Sequence, residues 1–180
     1  FAIAFILVSI LLCLTGCEFK SKQGYTLRRL SVTERNIYLW QALYNTCCYF
    51  FLWIIQLFVA LVLCKLYLAR FDMSTLSNQA IFLAFYRNSF LHSLLPLDEI
   101  SRFVRNVALI IGLGTSSACF PFRQRRGKIG VDFIVLVSMG IVFFVRSMGG
   151  FGNDMLLILT SATIAAESIA QVIRTEAPYE

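Results

Sequence analysis

Long uncharged runs alternate with short charged segments along this chain. Phe1–Cys17, Asn36–Cys64 and Asn106–Phe122 contain no charged residue. About 20 consecutive apolar residues are needed to cross a hydrocarbon layer roughly 30 Å thick. Because these runs approach or exceed that length, the pattern predicts membrane-spanning helices and not the core of a soluble domain.

The pattern predicts an all-α, polytopic integral membrane protein with about five transmembrane helices, in a single transmembrane domain over residues 1–180. The predicted spans are 1–16, 36–65, 100–122, 129–147 and 153–173. Between 66 and 99, charged residues interrupt the apolar sequence, and the longest uncharged run there, Met73–Tyr86, is too short to span. We therefore expect 66–99 to be a membrane-surface excursion with one interfacial helix near Ser77–Leu91.

Basic residues indicate how the predicted spans are oriented. Those in the loop after the first span are Lys20, Lys22, Arg28, Arg29 and Arg35, and those after the third are Arg123, Arg125, Arg126 and Lys128. Short loops rich in Lys and Arg stay on the inner side of a membrane. Five spans put both loops and the C-terminus on that side, whereas a sixth span over Met73–Tyr86 would separate the loops. The charges therefore favour five spans and an outer N-terminus.

Composition supports the same class. Hydrophobic residues make up 58% of the chain and charged residues 14%, which excludes an ordinary soluble globular protein. The net charge of +6 lies in segments between apolar runs, so we expect no nucleic acid partner. All six cysteines fall inside apolar segments, and we expect no disulfide among them. Because the chain starts with Phe1, we expect a processed product or an incomplete reading frame.

The sequence contains no zinc-ligand spacing, catalytic triad or phosphate-binding loop, so we predict no metal and no cofactor. His92, the only histidine, is interpreted as a solvated surface residue and not a haem ligand. Gly112-Leu113-Gly114 is interpreted as a site of close helix packing. Arg146 and Asp154 bracket a Gly-rich turn; we interpret them as a solvated hairpin pair, with a gate for ion passage as the alternative.

Glu167 is the candidate functional residue. It follows the uncharged stretch Met155–Ala166 inside the fifth predicted span, and ionisable residues in spans are costly and usually functional. Thr163 and Gln171 lie one helical turn before and after it. This spacing predicts that one side of the helix is polar and faces protein or water. We expect Glu167 to face protein and not lipid, with a Lys, Arg, His, Ser, Thr or water partner, and to be a proton-path carboxylate. The alternative is a carboxylate near the helix end with a structural role only.

Residues from Leu97 to Ser168 resemble a known family. The matching segments are LDEIS (97–101), LIIGL (109–113), FIVLVSMG (133–140), DMLL (154–157) and Glu167-Ser168. They resemble the N-terminal part of the antiporter-like membrane subunits of respiratory complex I, most nearly the NADH dehydrogenase subunit 2 type. In that family an acidic residue opens the third helix and a glutamate lies in the fifth, which is the position of Glu167 here.

The resemblance implies a membrane-arm subunit of a proton-translocating NADH:ubiquinone oxidoreductase, truncated or split, without a redox centre or cofactor of its own. It also implies the mitochondrial inner membrane, or alternatively a bacterial inner membrane. The implied partners are other membrane subunits of a large complex, together with lipids. Two alternatives stay open: an accessory structural subunit of another energy-transducing assembly, such as a rotary ATP synthase, and a fragment of a channel or transporter.

Overall fold

The computed structural model describes residues 2–15, 17, 33–69, 83, 87–94, 100–124, 127, 130–146 and 150–175. The helices in these ranges are α1 (Ala2–Leu14), α2 (Glu34–Ala69), α3 (Ser89–Leu94), α4 (Ile100–Gln124), α5 (Val131–Arg146) and α6 (Phe151–Thr175). No strand occurs in the part of the chain that is described. The predicted all-α class is therefore confirmed.

Each predicted span corresponds to one long helix, but the helices differ in length. Three of them, α2, α4 and α6, are long and apolar enough to cross a membrane. With 13 and 16 residues, α1 and α5 are apolar but shorter than the roughly 20 residues that a span needs. The surface helix predicted near Ser77–Leu91 lies mostly outside the described residues, which include the short α3 at its C-terminal end.

The centre of the bundle is α4, which contacts each of the other long helices. Its second half is almost entirely buried although it contains Thr115, Ser116 and Ser117. The apolar core lies around its first half, where Leu109 and Leu113 pack with residues of every other long helix: Phe5, Tyr49, Leu136 and Leu157. The most buried helix therefore carries polar side chains that must find partners inside the bundle.

The helices α4 and α6 run parallel and meet at intervals of seven residues. The facing pairs are Arg105 with Asp154, Gly112 with Ser161, and Cys119 with Ser168. Residues seven positions apart stay on one side of two helices that wind gently around each other. Small residues in the middle let the backbones approach, since a Cβ added at Gly112 would lie 3.2 Å from Ser161 Cβ. We call this contact the α4–α6 seam.

The opposite side of α4 packs against α2, which runs antiparallel to it. A Cβ added at Gly114 would lie 2.8 Å from the Thr46 Cα, so only glycine fits there. Farther along α2, the Trp53 ring lies 6.0 Å from the Phe103 ring, between centroids, near the start of α4. The interpretation of Gly112-Leu113-Gly114 as a site of close helix packing is confirmed.

The helix directions bring several termini to one end of the bundle. Ser9 accepts a hydrogen bond from the Tyr49 hydroxyl at 3.1 Å, and Phe5 shares a cavity wall with Trp53, so α1 is antiparallel to α2. The last turns of α1, α4 and α6 therefore lie at the same end as the first turns of α2 and α5. This arrangement agrees with the expectation that both basic loops and the C-terminus lie on one side.

Candidate functional site

Two groups of charged side chains lie on α4, one near each end of the helix. The Asp154 cluster consists of Ser93, Arg102, Arg105, Asn106 and Asp154, and the Arg123 cluster consists of Arg123, Asp132, Glu167 and Gln171. From Arg105 to Arg123 the helix rises about 27 Å at 1.5 Å per residue. That distance is close to the thickness of a hydrocarbon core. The two clusters therefore mark the two ends of the apolar part of the bundle.

Asp154 is a fully buried carboxylate in the first turn of α6, where negative charge is favoured. Its Oδ1 accepts a hydrogen bond from Arg105 Nη1 at 2.7 Å, and Arg105 is itself only 3% exposed. Arg102 Nε lies 4.0 Å from Oδ2 of the same carboxylate. The pair formed by Arg105 and Asp154 thus joins the starts of α4 and α6 inside the protein.

Neighbouring polar groups surround this pair. Arg105 Nη2 donates to Ser93 Oγ at 2.9 Å, and Asn106 Nδ2 donates to the Ser93 carbonyl oxygen at 3.0 Å. The Asn106 Oδ1 accepts from Arg105 Nη2 at 3.2 Å. On the other side of α3, Trp53 Nε1 donates to the Leu94 carbonyl oxygen at 2.9 Å. Hydrogen bonds from Arg105 and Asn106 on α4 and from Trp53 on α2 therefore hold α3 at this end of the bundle.

The interpretation of Asp154 as half of a solvated hairpin pair is wrong. Asp154 is buried, and its partner is Arg105, which is 49 positions away in the sequence. Closeness in sequence favoured Arg146, whose side chain lies outside the described residues. The parallel packing of α4 and α6 instead brings their first turns together. Because the carboxylate is engaged inside the bundle, the alternative of a gate made by Arg146 and Asp154 has no support here.

Arg123, in the last turn of α4, joins three helices at the other end of the seam. Its Nη1 lies 2.5 Å from Asp132 Oδ2, its Nε donates to Gln171 Oε1 at 2.7 Å, and its Nη2 lies 3.7 Å from Glu167 Oε1. Positive charge is favoured at a helix C-terminus. A single guanidinium thus faces two carboxylates from two different helices, so one positive charge is shared between two acidic groups.

Glu167 has a partner of the expected kind, and the larger part of its side chain is exposed within this chain. Besides the contact with Arg123, its Oε1 accepts a hydrogen bond from Gln171 Nε2 at 3.2 Å. Its side chain is 60% exposed within this chain, so these partners cover only part of the carboxylate. Thr163, also exposed, donates to the Thr160 carbonyl oxygen of its own helix at 2.9 Å and does not contact the carboxylate. Glu167 therefore lies on the outer flank of the bundle, with Arg123 on its inner side.

Between the two clusters, the seam is lined by hydroxyl groups. Ser116 Oγ donates to the Gly112 carbonyl oxygen at 2.6 Å. Ser117, on the α2 side of α4, accepts from Asn45 Nδ2 at 2.9 Å. Ser161 is fully buried, and its Oγ has no hydrogen-bond partner among the described residues. A small cavity lined by Ser116, Cys119, Asp132 and Ser168 opens beside Arg123. Polar groups therefore extend from the Arg123 cluster into the middle of the seam.

The described residues contain no group of three or more His, Cys, Asp and Glu side chains that is arranged to hold a metal ion. None of the six cysteines forms a disulfide, and all six belong to the described part of the chain. Nothing is described of the His92 side chain. The chemistry that the described site offers is therefore that of ionisable side chains in contact across helices.

The chain was compared with protein-family models, with curated proteins and with solved structures. None of the three comparisons gave a match.

Proposed function

We propose that this chain is an integral membrane subunit of a larger, proton-translocating complex. Three helices have the length and apolar composition of membrane spans. In the most apolar window of α2, only 6% of residues are buried within the chain. The exposed large side chains of that helix include Trp40, Phe51, Phe58 and Leu63. Such a surface suits contact with lipid tails or with other apolar helices.

The exposure of Glu167 supports a role as one subunit among several. It lies eight residues before the end of α6, about 12 Å along the helix axis. A carboxylate facing hydrocarbon is costly, on the order of 2.5–3.5 kcal/mol at the centre of a membrane helix and less at the position of Glu167, nearer the helix end. Arg123 covers only the side of this carboxylate that faces the helix bundle. We infer that a neighbouring polypeptide covers the outer side and supplies a polar or basic group.

The contact between Glu167 and Arg123 carries the proposal of proton translocation. A nearby cation favours the ionised form of a carboxylate, and movement of that cation changes the affinity for the proton. The resemblance of 97–168 to antiporter-like subunits selects the kind of complex: a proton-translocating NADH:ubiquinone oxidoreductase of a mitochondrial or bacterial inner membrane. In that complex Glu167 is the proton-path carboxylate, and electron transfer takes place in other subunits.

The test is the variant Glu167→Gln in the purified native assembly. This change removes the charge and keeps the size and the hydrogen bonding to Gln171. In proteoliposomes we expect an intact assembly whose NADH-driven proton uptake is strongly reduced. Glu34→Gln, at an exposed carboxylate in the first turn of α2, is the matched control and should pump normally. Normal pumping by Glu167→Gln would refute the role of Glu167, and a wild-type assembly that does not oxidise NADH would refute the choice of complex.

The Asp154 cluster favours a second candidate, an accessory structural subunit. Its central ion pair is buried and hydrogen-bonded on several sides, which suits a fixed scaffold better than a group that changes its charge. Under this alternative, Glu167→Gln leaves transport by the assembly unchanged. Asp154→Asn instead removes the chain from the purified complex.

A further inference from the structure

The Arg123 guanidinium is shared unequally between two carboxylates. The contact with Asp132 is 2.5 Å long, whereas the contact with Glu167 is 3.7 Å long. Both contacts involve terminal nitrogens of one planar group, so the two carboxylates compete for a single positive charge. Among the described residues, these are the two carboxylates that contact Arg123. The ionisation of each therefore affects how well the other is neutralised.

Asp132 differs from Glu167 in its access to water. It is the second residue of α5, at the end of the bundle where the basic loops attach, and its side chain is 31% exposed. Gly130, just before the helix, is buried against Phe120, and a Cβ there would lie 2.7 Å from Phe120 Cδ2. The absence of a side chain at Gly130 lets the chain pass close to α4, so that Asp132 reaches Arg123.

We propose that Asp132 is a second ionisable residue of the proton path, and that it acts on Glu167 through the shared Arg123. This inference rests on the proposed function. In the starting state Asp132 is ionised and Glu167 carries a proton. When Asp132 takes a proton from a hydronium ion in the surrounding water, its carboxylate becomes the neutral acid and Arg123 turns fully to Glu167. Glu167 then releases its proton to water or to a base of the neighbouring subunit and becomes ionised. One proton is bound and one released, the net charge of the cluster is unchanged, and the reverse steps restore the starting state.

Asp132 is thus a positioning residue for Glu167. The shared contact with Arg123 explains how the charge of Asp132 affects Glu167. With Asp132 permanently neutral, Arg123 has one carboxylate partner and holds Glu167 in its ionised form, so the exchange of protons stops. Glutamate at position 132 keeps the charge and the helix-terminal location, with one more methylene of reach. If Asp132 had a role in packing alone, proton uptake would not depend on the charge of the side chain at position 132.

The experiment compares Asp132→Asn, Asp132→Glu, Glu167→Gln and the double variant Asp132→Asn with Glu167→Gln, each in the native assembly reconstituted in liposomes. Coupling between two sites typically amounts to about 5–150-fold. We expect Asp132→Asn to lower NADH-driven proton uptake at least about fivefold, at unchanged subunit content. Asp132→Glu should restore most of the uptake, and the double variant should lose no more than Glu167→Gln alone.

The outcomes separate this inference from the proposed function. If Glu167→Gln fails to pump while Asp132→Asn pumps normally, the proposed function stands and the role of Asp132 is refuted. If Asp132→Glu is as defective as Asp132→Asn, or the two losses multiply in the double variant, Asp132 does not act through Arg123 on Glu167. Normal pumping by Glu167→Gln refutes both proposals.

Discussion

Replacing Asp154 by asparagine removes the carboxylate that neutralises Arg105 inside the bundle. Both side chains are almost inaccessible, at 0% and 3% exposure, so water cannot take over the role of the lost charge. Removing one member of a buried ion pair costs about 3–5 kcal/mol, because the other charge is left uncompensated. For a chain of this size, a change of 1 kcal/mol shifts Tm by roughly 2–4 °C. We therefore expect Asp154→Asn to lower Tm by about 6–20 °C.

The assay is thermal unfolding of the full chain in detergent micelles, followed by far-ultraviolet circular dichroism. Arg102→Lys is the control, since it keeps the positive charge near Asp154 and alters a contact that is weak because its two atoms lie 4.0 Å apart. We expect this variant to lose at most about 1 kcal/mol of stability. Replacing both members of the pair, Arg105→Met with Asp154→Leu, should recover most of the loss, because no buried charge remains. If Asp154→Asn unfolds at the wild-type temperature, the ion pair of Arg105 and Asp154 does not stabilise the packing of α4 against α6.

Two further predictions concern packing and topology. Gly114→Ala should destabilise the full chain by about 1–3 kcal/mol in the same assay, because the added methyl group meets the backbone of α2; Gly152→Ala, where the described residues leave the space open, should be neutral or slightly stabilising. In sealed membrane vesicles, cysteines introduced at Glu34 and Gln124 should react with a membrane-impermeant thiol reagent from the same side, and one at Gly152 from the opposite side. Labelling of Glu34 and Gln124 from different sides would contradict the helix directions.

The helices were predictable from the sequence because run length and charge determine them locally. The bounds of the five predicted spans agree with those of α1, α2, α4, α5 and α6 to within a few residues, although only α2, α4 and α6 are long enough to cross a membrane. The close packing at Gly112 and Gly114 was predictable for the same reason, since small residues inside an apolar helix have few other roles.

The ion pairs were not predictable from local sequence, because they depend on how α4 and α6 pack. The sequence pattern gives Arg105 no partner and places Arg123 in a basic loop, yet both contact carboxylates on α6. A signal was present: polar or small residues recur every seven positions at Arg105, Gly112 and Cys119, and again at Asp154, Ser161 and Ser168. Two matching repeats indicate that α4 and α6 face each other. The residues that meet across this contact depend on the direction of α6 relative to α4, which is parallel because α5 connects them.

We propose above that this chain belongs to a proton-translocating NADH:ubiquinone oxidoreductase. The composition of its native assembly tests this proposal most directly. The measurement is mass spectrometry of the complex that copurifies with the chain after mild detergent extraction. We expect flavin-binding and iron–sulfur subunits in stoichiometric amounts. A rotary ATP synthase, or a homo-oligomer of this chain alone, would contradict it.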